Sequence, residues 1–244
     1  MFEKLDILAF GVHPDDIELG CSGTLLAAMD EGKKVGLVDL TQGELGTRGT
    51  AETRKTEAAD AAKSLGVTIR ENLGLADGFF LNDEHHQRKV IEVIRKYRPE
   101  IVLCNAPEDR HPDHGRSAKL VSDAAFLSGL RKIETIIDGE RLLEWRPSYV
   151  FHYIQDRFLQ PDFVVDISEY MVRKLESVLC YTTQFYNPNL NEPETYISSP
   201  DFFDSVKARA MMLGKRVGVK YAEGYVTDKM IGIKSFDAII QNKT

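Results

Sequence analysis

The chain has 244 residues, a length for one large domain or at most two small ones. Its 43% hydrophobic and 28% charged residues suit an ordinary globular protein and exclude a disordered, coiled-coil or collagenous chain. With 31 Lys+Arg against 38 Asp+Glu the net charge is −7, so neither nucleic acid nor an anionic membrane, each of which demands a basic face, is expected as the main partner.

The N-terminal stretch MFEKLDILAFGVHPDD has no signal-peptide core, and no window reaches the roughly 18 apolar residues of a membrane span. The three cysteines, Cys21, Cys104 and Cys180, are few, far apart and odd in number. They predict no disulfide framework, buried small-hydrophobe roles and a reducing, cytoplasmic location.

In chain order, Leu5–Val12 reads as a buried strand and Ile17–Glu31 as a helix closed by Gly32. Lys34–Thr41 is a second strand. Ala51–Leu65 is a helix ending at Gly66. Thr68–Leu73 is a third strand and Asp83–Tyr97, with Val90, Ile94 and Tyr97 at helical spacing before Pro99, a third helix. Ile101–Asn105 and Arg116–Leu130 complete the alternation. This rhythm predicts an α/β fold, a mostly parallel sheet with helices on both faces. Beyond Gly129, Tyr149–Ile154 and Phe163–Ile167 read as strands and Glu169–Cys180 as a helix capped by Ser168. Tyr181–Pro200 is a long irregular stretch, a length that usually carries function. Pro200 opens a helix to about Val217, and the tail Tyr221–Ile240 is mixed. With no repeat and no linker, residues 1–244 are expected to form a single domain.

Two segments carry chemistry. His13-Pro14-Asp15-Asp16-Ile17-Glu18 follows the first strand, and Arg110-His111-Pro112-Asp113-His114 follows the fourth. Both fall at carboxyl ends of strands, where an open α/β sheet forms its ligand crevice. Taken alone, each is accounted for by helix capping: Asp15 with Glu18 as a capping box, Asp113 as a cap, the prolines as turn residues. Together they place His-Pro-Asp twice at equivalent points, and capping needs no His. Two His and a carboxylate match the ligand count of a catalytic zinc. The remaining His and Asp supply the base and acid of a hydrolase.

These paired motifs resemble the LmbE-like, or PIG-L-type, zinc-dependent N-deacetylase family. Thr41-Gln42-Gly43-Glu44, Arg54-Lys55-Thr56-Glu57-Ala58 and, more weakly, Leu75-Ala76-Asp77-Gly78 follow its pattern. Gly43–Thr50 resembles the bacillithiol-pathway branch, whose members deacetylate N-acetylglucosaminyl malate. The resemblance implies a Rossmann-like fold and one Zn2+ per chain, with Fe2+ as an alternative, held by His13, Asp16 and His114. It makes Asp15 the general base, His111 the group that holds the oxyanion or protonates the amine, and Asp113 its orienting partner. It also implies an N-acetylated sugar substrate and a homo-oligomer, a hexamer in the family. The alternatives are chitobiose-type or mycothiol-precursor-type deacetylation.

Glu44 and Arg54 are the next substrate-binding candidates: Glu44 for sugar hydroxyls, Arg54 because a cation early in a helix opposes its dipole and so calls for a partner. A salt bridge from Arg54 to Glu52 or Glu57 is the plainer explanation. Arg48 and Arg110 are candidates for malate carboxylates. His85-His86 is expected at the surface, His152 in a sheet, and Met211-Met212 in the core or an interface. Tyr186, Tyr196, Phe202 and Phe203 flank the pocket mouth or a subunit contact. A nucleotide-binding domain is disfavoured because Gly11-Val12-His13-Pro14 stands where G-x-G-x-x-G belongs. A non-haem iron oxygenase fits the ligands, but the parallel α/β pattern is not the β-rich scaffold of the familiar oxygenases; a non-catalytic metal module leaves the base and oxyanion groups unexplained.

Overall fold

The structure is a computed structural model describing residues 2–239. The first six main-sheet and helical elements of the alternation are β1 (Ile7–Gly11), α1 (Asp16–Gly20), α2 (Ser22–Asp30), β2 (Val35–Thr41), α3 (Ala51–Leu65) and β3 (Ile69–Leu75). There follow α4 (Glu84–Tyr97), β4 (Ile101–Asn105), α5 (Pro112–Leu127), a short hairpin of β5 (Ile136–Ile137) and β6 (Glu140–Arg141), and β7 (Tyr149–Tyr153). The chain ends with β8 (Phe163–Asp166), α6 (Met171–Leu179), α7 (Phe202–Val217) and β9 (Ala222–Val226).

Seven strands form one sheet in the order β3-β2-β1-β4-β7-β9-β8. The first five run parallel, in register Ile7↔Val35, Ile7↔Ile101 and Ile101↔Tyr149. β9 pairs antiparallel with both β7 and β8. The expected α/β architecture is therefore present, with an antiparallel edge added by the C-terminal third. β1 is buried along its whole length, as a central parallel strand covered on both faces must be. Leu8, Phe10 and Val12 face a core closed by Val90, Ile94, Leu120 and Val121 of α4 and α5. Ile7 and Ala9 face the other side, with Ile17, Leu25 and Leu26. A third cluster joins Ala58 and Ala61 of α3 to Met171, Val178, Tyr181, Phe185 and Phe202.

Several expectations are corrected. Ile17–Glu31 is not one helix: Cys21, at φ −144° and ψ 7°, breaks it between α1 and α2. The break brings Gly20 against the Tyr153 ring, where an added Cβ would stand 2.1 Å from a ring carbon. Gly32 does close α2: it sits at φ +82°, its N–H donates to the Met29 carbonyl, and the Lys33 N–H donates to that of Ala28. The fourth helix starts at Pro112 rather than Arg116, which moves the second motif into its first turn. Ser168 does not cap α6; its hydroxyl donates to Asp166 and accepts from the Tyr221 N–H. The mixed tail contains β9, which threads between β7 and β8, and Ile240 lies outside the described residues. Met211 and Met212 are exposed, so they are not core. Cys21 and Cys104 are buried free thiols, but Cys180 is only partly covered. His152 lies buried in β7, and His86 pairs at the surface with Asp83.

Candidate metal centre and hydrolytic site

The strand order reverses direction between β1 and β4, and the crevice opens beyond their carboxyl ends. Both His-Pro-Asp segments emerge there. Asp16 opens α1 and folds back over β1: its Oδ2 accepts the N–H groups of Val12 (3.1 Å) and His13 (3.0 Å) and the Asn105 side-chain amide (3.1 Å). Its Oδ1 accepts from Gln155 Nε2 at 2.8 Å. His13 Nδ1 stands 3.6 Å from Asp16 Oδ2, and His114 Nε2 stands 3.3 Å from Asp16 Oδ1. The opposite nitrogen of each ring is held by another carboxylate, His13 Nε2 by Asp77 (3.0 Å) and His114 Nδ1 by Asp109 (2.7 Å). Carboxylates behind imidazoles in this way fix their tautomers and are the usual outer support of a metal site.

Electrostatics follows from this packing. Burial opposes charge on both rings. Asp16 and Asp77 nevertheless raise His13 to about 9, and Asp16 and Asp109 raise His114 to about 10. Burial also works against Asp16, yet the two imidazoles hold it well below the usual carboxylate range. A carboxylate between two imidazoles that draw cationic charge is a donor set suited to a divalent ion. Among the described residues, the groups whose ligand atoms all lie within 4.8 Å of one another are His13 with His111 and His114, and His13 with Asp77 and Asp113.

Asp15 does not cap α1. It has φ 125°, a strained value for a side-chain-bearing residue, and its carboxylate makes no cap bond. Glu18, the other half of the expected capping box, pairs instead with Arg70 at 2.6 Å. Burial pushes Asp15 up to about 7 against the pull of the Arg54 cation. Arg54, from the first turn of α3, reaches Asp15 Oδ2 at 3.1 Å, Gln184 Oε1 at 2.6 Å and the Pro14 carbonyl. The simpler bridge to Glu52 or Glu57 is thus overturned. Glu57 instead accepts from Thr182 and Thr183.

His111 is the N-cap of α5, and its Nδ1 accepts the Asp113 N–H at 3.3 Å. That fixes its remaining proton on Nε2. Burial and the charges of His13 and His114 lower its pKa, so it is neutral. Asp113 meets His111 through its backbone N–H, while its side chain takes the Gly78 N–H (2.8 Å) and Arg116 (2.6 Å). Residues on an α-helix two apart diverge, and only the backbone of the first turn bridges them.

A cavity of about 310 Å³ opens over these groups, lined by His13, Asp15, Asp16, Arg54, Asp77, Arg110, His111, His114, Gln155 and Tyr196, among others. Of the other candidates, Arg110 is part of its wall, Nε 3.4 Å from Asp156 and the guanidinium 4.4 Å over the Tyr196 ring. Glu44 turns its two oxygens to the N–H groups of Asp77 (2.9 Å) and Gln42 (3.1 Å). Arg48 is buried under the long loop, against the Phe185 carbonyl and Glu192. Tyr196 belongs to the pocket mouth, Tyr186 to a separate hollow beside Arg48, and Phe202 to the third core cluster. Sequence reasoning missed Asp109, Gln155 and Gln184 and gave Asp77 no role. Asp109 adjoins the second motif, and Gln155 follows the end of β7 on the same rim; nothing marks Gln184.

The chain is similar to known deacetylases. Residues 8–125 match the family model described as PIG-L, GlcNAc-PI de-N-acetylase. Among curated relatives, diacetylchitobiose deacetylase of Thermococcus kodakarensis is 29% identical over 89% of this chain and 81% of its own. A probable N-acetyl-α-D-glucosaminyl L-malate deacetylase 2 of Bacillus anthracis is 24% identical over 76% of this chain and 84% of its own. Among solved structures, the conserved protein TT1542 of Thermus thermophilus superposes with a TM-score of 0.84 at 35% identity, covering 94% of this chain and 97% of that one.

Proposed function

The chain belongs to the PIG-L, or LmbE-like, deacetylase family, and on that premise we propose that it hydrolyses the N-acetyl group of an N-acetylglucosamine conjugate, releasing acetate and the free amine. The observation that carries this reading is the placement of Asp16 between the inward nitrogens of His13 and His114, with Asp15 beside it. In this reading His13, Asp16 and His114 hold a divalent ion, Zn2+ or alternatively Fe2+. His13 with Asp77 and Asp113 is the alternative donor set. A bound ion of this kind polarises an acyl carbonyl and acidifies water to a pKa of about 7.

The chain's own groups do the rest. Asp15, raised to about 7 and fixed by Arg54, takes the proton of the attacking water and returns it to the leaving nitrogen. His111 is neutral with its proton on Nε2, which favours the oxyanion role over protonation of the amine. Asp113 keeps His111 in that tautomer through its N–H.

For the substrate we propose N-acetylglucosaminyl malate, as in bacillithiol biosynthesis. Arg110 supports it: the side chain is 46% exposed at the cavity wall, a place for a carboxylate. Arg54 and Glu44 then act behind the substrate, on Asp15 and on Asp77. Diacetylchitobiose is the second reading, favoured by the broad match to the Thermococcus relative. No helix among the described residues is long and apolar enough to cross a membrane. Free thiols fit a cytoplasmic location. Exposed Met230, Ile233 and Phe236 in the tail fit a homo-oligomer, a hexamer by resemblance. The test is amine release from the malate conjugate and from diacetylchitobiose by the wild type and Arg110→Ala. A preference for the malate conjugate that Arg110→Ala abolishes supports the first reading; equal turnover of both by both proteins supports the second.

A further inference from the structure

Gln155 follows β7, two residues beyond its last residue, Tyr153, and is 7% exposed. Its backbone neighbourhood is rigid: the Ile154 N–H donates to the Gly224 carbonyl of β9, and Tyr153 donates its hydroxyl hydrogen to the Phe10 carbonyl of β1. Its Nε2 lies 2.8 Å from Asp16 Oδ1. Because Asp16 accepts backbone N–H groups through Oδ2, it is an acceptor here, and the amide of Gln155 must turn its NH2 end toward it. The carbonyl end, Oε1, then points away from Asp16. Oε1 is buried and has no hydrogen-bond partner among the described residues. Gln155 lines the same cavity as Asp15, His111 and Arg110.

A buried carbonyl without a partner costs about 1–3 kcal/mol, so such a group persists where something else satisfies it. The other side chains lining this cavity include cations and neutral donors (Arg54, Arg110, His111), carboxylates (Asp15, Asp77) and the neutral groups of Thr47, Gln184, Thr195 and Tyr196. Gln155 also lines the cavity, and its buried Oε1 is a neutral acceptor. It repels a substrate carboxylate and accepts a donor. A ring hydroxyl offers the hydrogen it lacks; the acetamide N–H is the competing donor, and substrates that differ only in their hydroxyls tell the two apart.

Resting on the reading above that the substrate is an N-acetylglucosamine conjugate, we propose that Gln155 is a specificity-determining residue: Nε2 positions Asp16 while Oε1 accepts a hydrogen bond from one free hydroxyl of the sugar ring bearing the acetamide. One side chain thereby ties the candidate metal ligand to the sugar. A site of this design rejects a sugar lacking that hydroxyl, or carrying an ester on it, since either leaves Oε1 orphaned.

The experiment measures kcat/KM for amine release, at saturating Zn2+ with metal content verified, on N-acetylglucosamine-type substrate and its 3-, 4- and 6-deoxy analogues. For the wild type, one analogue falls by roughly 10- to 100-fold below the parent, the cost of one orphaned buried group. In Gln155→Met, which removes both the acceptor and the Nε2 contact to Asp16, all four substrates lose a common factor, and the parent loses roughly 10- to 100-fold more than that one analogue. Equal penalties of Gln155→Met on all four substrates, or wild-type rates within twofold across the analogues, overturn the proposal. The wild-type series stands alone if Gln155→Met does not fold. A wild type that releases amine from none of the four instead contradicts the deacetylase reading.

Discussion

The guanidinium of Arg54 lies 3.1 Å from the Asp15 carboxylate and also donates to the carbonyl of Pro14, so one side chain of α3 pins both the base and the strained turn that presents it. A single fork reaching Asp15, Pro14 and Gln184 Oε1 is a task for Arg and not for Lys. Arg54→Lys and Arg54→Ala are expected to lower kcat/KM by roughly 10- to 100-fold with metal content unchanged. Because Arg54 lowers the Asp15 pKa, its loss raises it, and the acid limb of the pH–rate profile moves to higher pH. A profile that stays in place would separate Arg54 from the base.

Asp15 and His114 occupy the same cavity but have different parts in this account. Asp15→Asn is expected to retain the metal and lose about 10²- to 10⁴-fold in kcat, the range for a general base. His114→Ala is expected to lose the metal. Metal analysis beside turnover separates them, and equal metal loss in both variants would collapse the distinction.

Without metal, His13 at about 9 and His114 at about 10 carry protons at neutral pH that an incoming ion must displace. Apparent Zn2+ affinity is therefore expected to rise steeply with pH up to about 9. The same values set the stability of the metal-free chain. Both folded values exceed the 6.5 of a free imidazole, so their contribution is complete below that pH and is lost as pH rises through about 9 and 10. Chelator competition at pH 6.5 and 8.5, with urea midpoints of stripped protein at pH 7 and 10, checks both signs. A pH-independent affinity would mean the ion binds elsewhere.

Glu44 accepts the Asp77 N–H, and Asp77 in turn holds His13. Glu44→Ala is expected to weaken metal retention roughly 10-fold, as loss of outer support does, and to leave KM nearly unchanged at saturating metal. A rise in KM alone would return Glu44 to direct contact with the sugar.

How much of this was legible in the sequence follows from where the information lies. The parallel half is written in contiguous apolar runs such as Ile7–Gly11 and in caps such as Gly66, which is why its elements appear within a few residues of their expected places. The paired motifs are contiguous too, and strand ends bring them together. β9 was not legible, because Ala222–Val226 takes its place only by pairing with β7 and β8 far away in the chain. Beside the break at Cys21, Gly20 packs against the Tyr153 ring, 133 positions on. Gln155 and Gln184 are single amides whose partners, Asp16 and Arg54, are over a hundred residues distant; no spacing announces them. Asp109 was within reach, being one residue before Arg110, and went unread because its carboxylate serves a histidine a helical turn later.

The most direct test of the central claim is amine release from N-acetylglucosaminyl malate and from N-acetylglucosamine by purified protein, with and without a chelator, followed by restoration with Zn2+. The account predicts turnover that the chelator abolishes and Zn2+ restores, with the malate conjugate the better substrate. Turnover that persists in chelator with the metal verified as absent would contradict it.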